Sequence, residues 1–315
     1  MKVTDHIAKA NNTLFSFEVL PPQKGKIIDD LLNVIEPLME FKPPFVDVTY
    51  HREEIIYKKR IDGLIEEVPL RKRPGTAGIC AAIKGRFNVD AVPHLICHGF
   101  TPEETEDALF TLYYLGINNV LLLQGDSDKG KSQTDKKAHH YASELVQQVS
   151  EMNYGRFLHE ETENELKTDF CIGVAGYPEK HFEAPNLKSD LKWLKHKIDC
   201  GAHYIVTQMF FNNQKFYEFV DACRAAGITV PIIPGLKPIA SKAQLRNLPK
   251  IFHIDIPEEL VIEIEKCKDD KQVKHVGIEW AIAQSKDLKA QKVPCLHYYT
   301  MSRSEATIEI AKAVF

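Results

Sequence analysis

Six polar side chains of five chemical kinds stand at the ends of successive apolar runs. They are Glu18, Thr49, His94, Asp126, Tyr177 and Gln208, found in Ser16-Phe17-Glu18-Val19, Val48-Thr49-Tyr50, Pro93-His94-Leu95, Gln124-Gly125-Asp126, Gly176-Tyr177-Pro178 and Thr207-Gln208-Met209. Any one alone is as readily an ordinary loop residue. As a set they suit acid–base work on a bound small molecule, with carboxylates and an imidazole to hold protons and an amide and a phenol to orient polar edges. A free glutamic acid has a pKa of about 4.3, so Glu18 can donate a proton near neutrality only if burial or a like charge raises that value. Asp47 has the parity of Thr49, which makes it the candidate like charge beside Glu18. The alternative is that its neighbours satisfy Asp47 and it is inert.

Other patterns compete for attention. Gly125-Asp126-Ser127-Asp128-Lys129-Gly130-Lys131-Ser132 matches the P-loop pattern and follows an apolar run. A P-loop cradles phosphates with backbone N–H groups, whereas Asp126 and Asp128 bring negative charge there, and the polar run Gln133-Thr134-Asp135 follows in place of an apolar helix. The expectation is a charged loop with Asp126 directed at a ligand. His94, Cys97 and His98 lack the remote Cys/His pair that a tetrahedral metal site needs, so no metal is expected. No Gly-x-Gly-x-x-Gly fingerprint occurs, so a nicotinamide would bind without a Rossmann half.

Strand signals run from Leu14 to Val19, Phe45 to Thr49, Val89 to Cys97, Asn119 to Leu123, Phe170 to Ala175, Tyr204 to Met209, Val230 to Pro234 and Val293 to Tyr298. Helical patterns fall between them. Ile27, Leu31, Ile35 and Leu38 share one face, which Pro37 should kink or shorten. Thr101-Pro102-Glu103-Glu104 and Ser302-Arg303-Ser304-Glu305 read as capping boxes. Alternation of this kind predicts an α/β fold, a (β/α)8 TIM barrel forming a single domain over residues 1–315. The polar run ends would then share its C-terminal mouth. If Glu18 points inward, Ser16 and Leu14 do too, while Phe15, Phe17 and Val19 face the helices. Inward Gln208 turns Thr207 outward, the weak point of that assignment. Tyr50 to Leu70 is read as a charged surface insertion.

The 315 residues carry a net charge of −4 and are 44% hydrophobic, a balance that announces no nucleic-acid or membrane partner. Seven scattered cysteines without a Cys-x-x-Cys pair, and no apolar leader, predict a cytoplasmic protein.

Taken in order, the segments resemble the methylenetetrahydrofolate reductase family. They include Ser16-Phe17-Glu18, Val48-Thr49-Tyr50, Pro93-His94-Leu95-Ile96-Cys97, Gly125-Asp126, Tyr141-Ala142-Ser143-Glu144-Leu145, Tyr177-Pro178-Glu179-Lys180-His181, Thr207-Gln208-Met209-Phe210-Phe211, Ile233-Pro234-Gly235 and Tyr299-Thr300-Met301-Ser302-Arg303. The resemblance covers the catalytic barrel and implies a chain without the regulatory domain of eukaryotic relatives. It implies non-covalent FAD and a ping-pong reaction. NADH or NADPH reduces the flavin, its product leaves, and 5,10-methylenetetrahydrofolate enters and is reduced to 5-methyltetrahydrofolate. That product feeds methionine synthesis and one-carbon metabolism.

By resemblance Glu18 is the general acid and Asp126 the carboxylate beside flavin and pterin. Gln208 and Arg303 are substrate-binding. Thr49, His94, Gly125, Asp126, Tyr141, Tyr177, His181, Asp190 and Lys197 contact the flavin. Gln124 stands where many relatives carry Arg, His196 replaces another basic residue, and Leu248 sits about where some relatives place Phe. A homo-oligomer is expected. Three readings compete: a folate-binding barrel without turnover, a methyltransferase or aldolase-like barrel, and the P-loop enzyme. The aldolase form needs a Schiff-base lysine on an inward strand position, and the sequence offers no good candidate.

Overall fold

Strands that bury both faces draw apolar residues from both parities, and these runs do so. A computed structural model describes residues 1–51, 54–125, 138–160 and 165–315. In chain order the first half comprises α1 (Val3–Lys9), β1 (Leu14–Val19), α2 (Ile28–Ile35), a 3-10 helix (Glu36–Phe41), β2 (Phe45–Val48), β3 (Glu54–Lys59), β4 (Ile65–Leu70), α3 (Thr76–Phe87), β5 (Asp90–Ile96), α4 (Pro102–Tyr114) and β6 (Asn119–Leu123). The second half comprises α5 (Ala142–Asn153), β7 (Cys171–Gly176), α6 (Leu187–Asp199), β8 (Tyr204–Thr207), α7 (Asn213–Ala225), β9 (Ile232–Ile233), β10 (Gly235–Leu236), α8 (Gln244–Phe252), α9 (Glu258–Lys266), α10 (Asp270–Ala290), β11 (Cys295–Tyr299) and α11 (Glu305–Val314).

The main sheet runs β10-β11-β1-β2-β5-β6-β7-β8-β9 with parallel pairing throughout, a nearly closed barrel ringed by helices. Its seventh strand is interrupted at Pro234. The first half, β9, pairs with β8, and the second, β10, pairs with β11. Proline has no N–H to give a ladder, but the Pro234 carbonyl accepts from the His297 amide at 3.1 Å, so the seam still holds.

Parity sorts the core into two layers. Phe45, Val92, Leu121, Tyr204, Val206 and Cys295 fill the barrel interior, with Leu14 packed against them. Phe15, Phe17 and Val19 face the helices, as alternation requires. Burying one such side chain stabilises the fold by about 1.5–3 kcal/mol. Helix α1 closes the N-terminal end: Val3 enters the interior cluster, and its amide donates to Asn119 Oδ1 at 2.8 Å. Thr207 points outward yet is satisfied, because its hydroxyl accepts from the Gly235 amide at 3.0 Å.

The Thr101 box forms as expected, with Glu104 N donating to Thr101 Oγ1 at 3.2 Å and Thr101 N to Glu104 Oε2 at 2.8 Å. Pro37 converts the end of α2 into the 3-10 turn. The expected box at Ser302 does not form. Helix α11 begins at Glu305 without a side-chain cap, and the Ser302 hydroxyl instead accepts from Leu20 N at 3.0 Å and donates to Leu20 O at 3.2 Å. Met301 and Ser302 both take positive φ (51° and 56°), which turns the chain toward the loop after β1. The insertion after β2 contains the antiparallel hairpin β3–β4. Its base is tied to the same loop, Lys24 N donating to Lys72 O at 2.9 Å and Arg73 to Pro21 O. Among the described residues no helix is long and apolar enough to cross a membrane.

Candidate active site

Residues from four adjacent strands converge at the C-terminal mouth. Register places Tyr299, Glu18 and Asp47 side by side on β11, β1 and β2. His94 reaches in from β5, its Nε2 3.2 Å from Asp47 Oδ2 and 4.0 Å from Glu18 Oε2. All three of Glu18, Asp47 and His94 are buried. Burial is the chief cause that pushes the Glu18 carboxyl up to about 7; His94 pulls it down, Asp47 pushes it up, and Lys237 pulls it down. The second Asp47 oxygen, Oδ1, is buried and has no hydrogen-bond partner among the described residues. Beneath this row, His297 Nδ1 lies 2.9 Å from Ser16 Oγ. Burial drives the His297 imidazole down to about 4, so it is neutral near pH 7.

Tyr299 spans the mouth, its hydroxyl donating to the Thr207 carbonyl at 2.5 Å. The ring occupies space that a side chain at position 235 would need: a Cβ on Gly235 would lie 2.3 Å from Thr207 O and 2.5 Å from the Tyr299 hydroxyl. Burial raises the Tyr299 phenol well above its ordinary range, with Glu18, Asp47 and Tyr177 adding to the shift, so it stays a donor. Gln208 follows β8 directly and is half-buried, its side-chain oxygen accepting from Met209 N at 2.9 Å.

Beside the mouth, between the ends of β6 and β7 and helices α5 and α6, lies a cavity of about 270 Å³. Gln124, Tyr141, Tyr177, His181, Asp190 and Lys197 line it, together with apolar Leu122 and Leu194. Tyr141 stacks on Trp193 at 6.4 Å with planes 12° apart, and Tyr177 meets His181 edge-on at 4.6 Å. The His181 amide donates to Asp190 Oδ2 at 2.8 Å. Lys180 adopts φ 92° and its ammonium donates to the carbonyls of His181 (3.0 Å) and Ala184 (2.6 Å), folding the loop over the cavity. Lys197 donates to Ala175 O at 2.7 Å, and burial brings its ammonium down to about 8.

The sequence matches the family profile Methylenetetrahydrofolate reductase over residues 2–314. The chain belongs to the methylenetetrahydrofolate reductase family. It is 32% identical to the 5,10-methylenetetrahydrofolate reductase of Escherichia coli (strain K12) over 296 residues, covering 94% of this chain and 88% of that protein. It is 31% identical over 303 residues to a probable methylenetetrahydrofolate reductase (NADPH) of Caenorhabditis elegans, covering 95% of this chain but 42% of the longer relative. Among solved structures, an uncharacterized Clostridium thermocellum protein that binds two copies of 5-methyl-5,6,7,8-tetrahydrofolic acid aligns with TM-score 0.57 and 15% identity, covering 98% of this chain and 97% of that one. At that identity the likeness concerns the fold.

The residues picked out by the reductase resemblance fall into two groups. Glu18, Thr49, His94 and Gln208 stand around the barrel mouth, Thr49 Oγ1 lying 3.2 Å from His51 Nε2. Tyr141, Tyr177, His181, Asp190 and Lys197 line the lateral cavity. Gly125 joins the groups at the end of β6 with φ 86°, a left-handed conformation that suits glycine. Asp126 and the rest of the P-loop-like stretch lie outside the described residues. Arg303 is exposed beyond β11. Of the departures from the family, Gln124 lines the cavity, His196 is exposed against Trp193 at 5.9 Å, and Leu248 is buried in a satellite cluster with Met209 and Phe211. His94 points into the mouth, whereas Cys97, just past β5, packs into the helix-facing core.

Sequence reasoning missed Lys237. It sits just past β10, partly buried, and acts on Glu18 electrostatically. The available signal was Gly235-Leu236-Lys237-Pro238, a cation with the parity of a strand-end glycine.

Proposed function

We propose that this protein reduces 5,10-methylenetetrahydrofolate to 5-methyltetrahydrofolate with NADH or NADPH through bound FAD, in a ping-pong sequence, and so supplies methyl groups for methionine synthesis. The observation that carries the reading is Glu18, a carboxyl buried at the mouth of a reductase-family barrel and raised to about 7. Such a group is still substantially protonated near neutrality, which a general acid needs. The neighbour from Clostridium thermocellum, itself a methyltetrahydrofolate binder by description, is consistent with a folate at this kind of barrel.

The residues present fit FAD. The lateral cavity offers the faces of Tyr141, Tyr177 and His181 to planar rings, the Lys197 ammonium to an anionic bridge, and Asp190 to sugar hydroxyls. Asp126 and Gly125 complete the set by resemblance. When bound, FAD supplies the redox centre through which electrons pass from nicotinamide to folate.

The remaining chemistry belongs to the chain. Opening the five-membered ring of the substrate requires a proton at N10, which leaves a 5-iminium cation. Glu18 donates that proton. Gln208 orients the pterin, and the nicotinamide in the other half-reaction, through its amide. By resemblance Asp126 supplies the negative charge that stabilises the developing cation. His94, 4.0 Å from the Glu18 carboxyl, lowers its proton affinity, and Asp47 on the neighbouring strand raises it. Lowering the charge there tests their part: Asp47→Ser removes a group that raises Glu18, so the alkaline limb of the folate half-reaction should move to lower pH. An unmoved limb would make Asp47 a bystander.

The direct test is optical. Purified protein loaded with FAD should bleach anaerobically with NADH or NADPH and recover its absorbance on addition of methylenetetrahydrofolate. Protein that cannot be loaded with FAD would defeat the reading.

A further inference from the structure

We propose that Lys237 is a substrate-positioning residue whose side-chain nitrogen donates to the pyrimidinone carbonyl oxygen of the bound folate and so sets the ring against Glu18. The proposal rests on the folate-reductase reading above and assigns a contact which that reading did not contain.

Three observations support it. The first is level. Strand β10 pairs Gly235 with His297 and Leu236 with Tyr298, so the next residue, Lys237, falls opposite Tyr299. Tyr299 is the partner of Glu18, and Glu18 of Asp47. Lys237, Tyr299, Glu18 and Asp47 therefore form one row across four neighbouring strands, with one parity. A long side chain at the end of that row reaches the space that Glu18 faces.

The second is want of a partner. Lys237 is partly buried, yet among the described residues its ammonium makes no hydrogen bond and no ion pair. Its charged surroundings are Glu18 from β1 and Arg303 from the loop after β11, while Tyr299 beside it is a neutral phenol. Burial lowers its proton affinity, Glu18 raises it, and Arg303 lowers it. The ammonium is therefore not locked into the protein's own hydrogen bonds and keeps an open side toward the mouth. A ligand oxygen there would serve as its acceptor in place of water.

The third is the division of the substrate. Glu18 must reach the reduced ring system, so the group that shares its level meets the ring and not the glutamate tail, which leads out toward solvent. The ring's acceptor of the right kind is the pyrimidinone carbonyl oxygen. The exposed Arg303, farther out, is left for the tail.

The contact also bears on the acid. Lys237 lowers Glu18, so its cation sharpens the proton donor at the same time as it positions the ring.

The test uses FAD-loaded protein and two variants, Lys237→Met and Lys237→Arg, with 5-methyltetrahydrofolate as the binding probe, followed by calorimetry. Lys237→Met should weaken folate binding by roughly 10- to 100-fold, as expected for loss of a charge-assisted hydrogen bond. It should raise the KM for methylenetetrahydrofolate more than it lowers kcat, and shift the alkaline limb of the folate half-reaction upward, because a cation beside Glu18 is gone. Lys237→Arg should recover most of the affinity. Flavin content and the rate of bleaching by NADH should stay within about twofold of wild type, which a merely structural lysine would not allow. Unchanged folate affinity in Lys237→Met, or an equal loss in both half-reactions, would overturn the assignment while leaving the reductase reading in place. Failure of the wild-type protein to bind folate at all would overturn both.

Discussion

Glu18→Gln should slow the folate half-reaction by about 10²- to 10⁴-fold and leave reduction of the flavin by NADH near its wild-type rate. The range is that of a lost general acid. The amide keeps the size of the carboxyl and can still donate a hydrogen bond, but has no acidic proton to give N10. The wild-type profile carries its own sign. With Glu18 raised to about 7, the protonated form prevails below that value, so the folate step should fall as pH rises through it. The variant should lose this limb. Anaerobic stopped-flow measurement of each half-reaction across pH makes the comparison. A variant that slowed both half-reactions alike would argue that Glu18 shapes the site and does not donate the proton.

The second large effect concerns stability. Gly235→Ala is expected to cost about 3 kcal/mol, at the upper end of ordinary overpacking. The added Cβ would meet the Thr207 carbonyl at 2.3 Å and the Tyr299 hydroxyl at 2.5 Å. The nearest obstacle is backbone, so no rotamer change relieves it. Position 235 also opens the second half of the broken strand, where its amide donates to Thr207 Oγ1, and a shift there would disturb the seam between β8 and β11. Denaturant unfolding should show the lower midpoint. Removing the Tyr299 ring in the same chain should not restore it, because the carbonyl clash remains. A loss below about 1 kcal/mol would mean that the seam is softer than its contacts suggest.

The two halves of the site were legible to different degrees. Glu18, His94 and Gln208 could be marked because each ends an apolar run, and strand parity is a local property. The lateral cavity was visible only as a scatter of Tyr141, Tyr177, His181, Asp190 and Lys197, whose common destination no spacing rule reveals. Family resemblance assembled them, and the fold brings them around one hollow. Lys237 escaped because its strand is two residues on either side of Pro234, too short for an alternation to register.

Sequence alone determined the alternation that makes a barrel, the inward and outward faces of β1, the Thr101 cap and the Pro37 break. These depend on neighbours within a turn or a few residues, where backbone geometry leaves little choice. Tertiary structure decided the rest. Ser302 abandoned its predicted cap because the left-handed turn at Met301 and Ser302 carries its hydroxyl to Leu20, far away in the chain. The polar strand ends became a graded set only when burial and charge were placed around them: Glu18 raised, His297 held neutral, Lys237 lowered by burial beside Glu18. Desolvation and Coulomb interaction depend on distance in space, and the barrel sets that distance by closing β1 between β11 and β2.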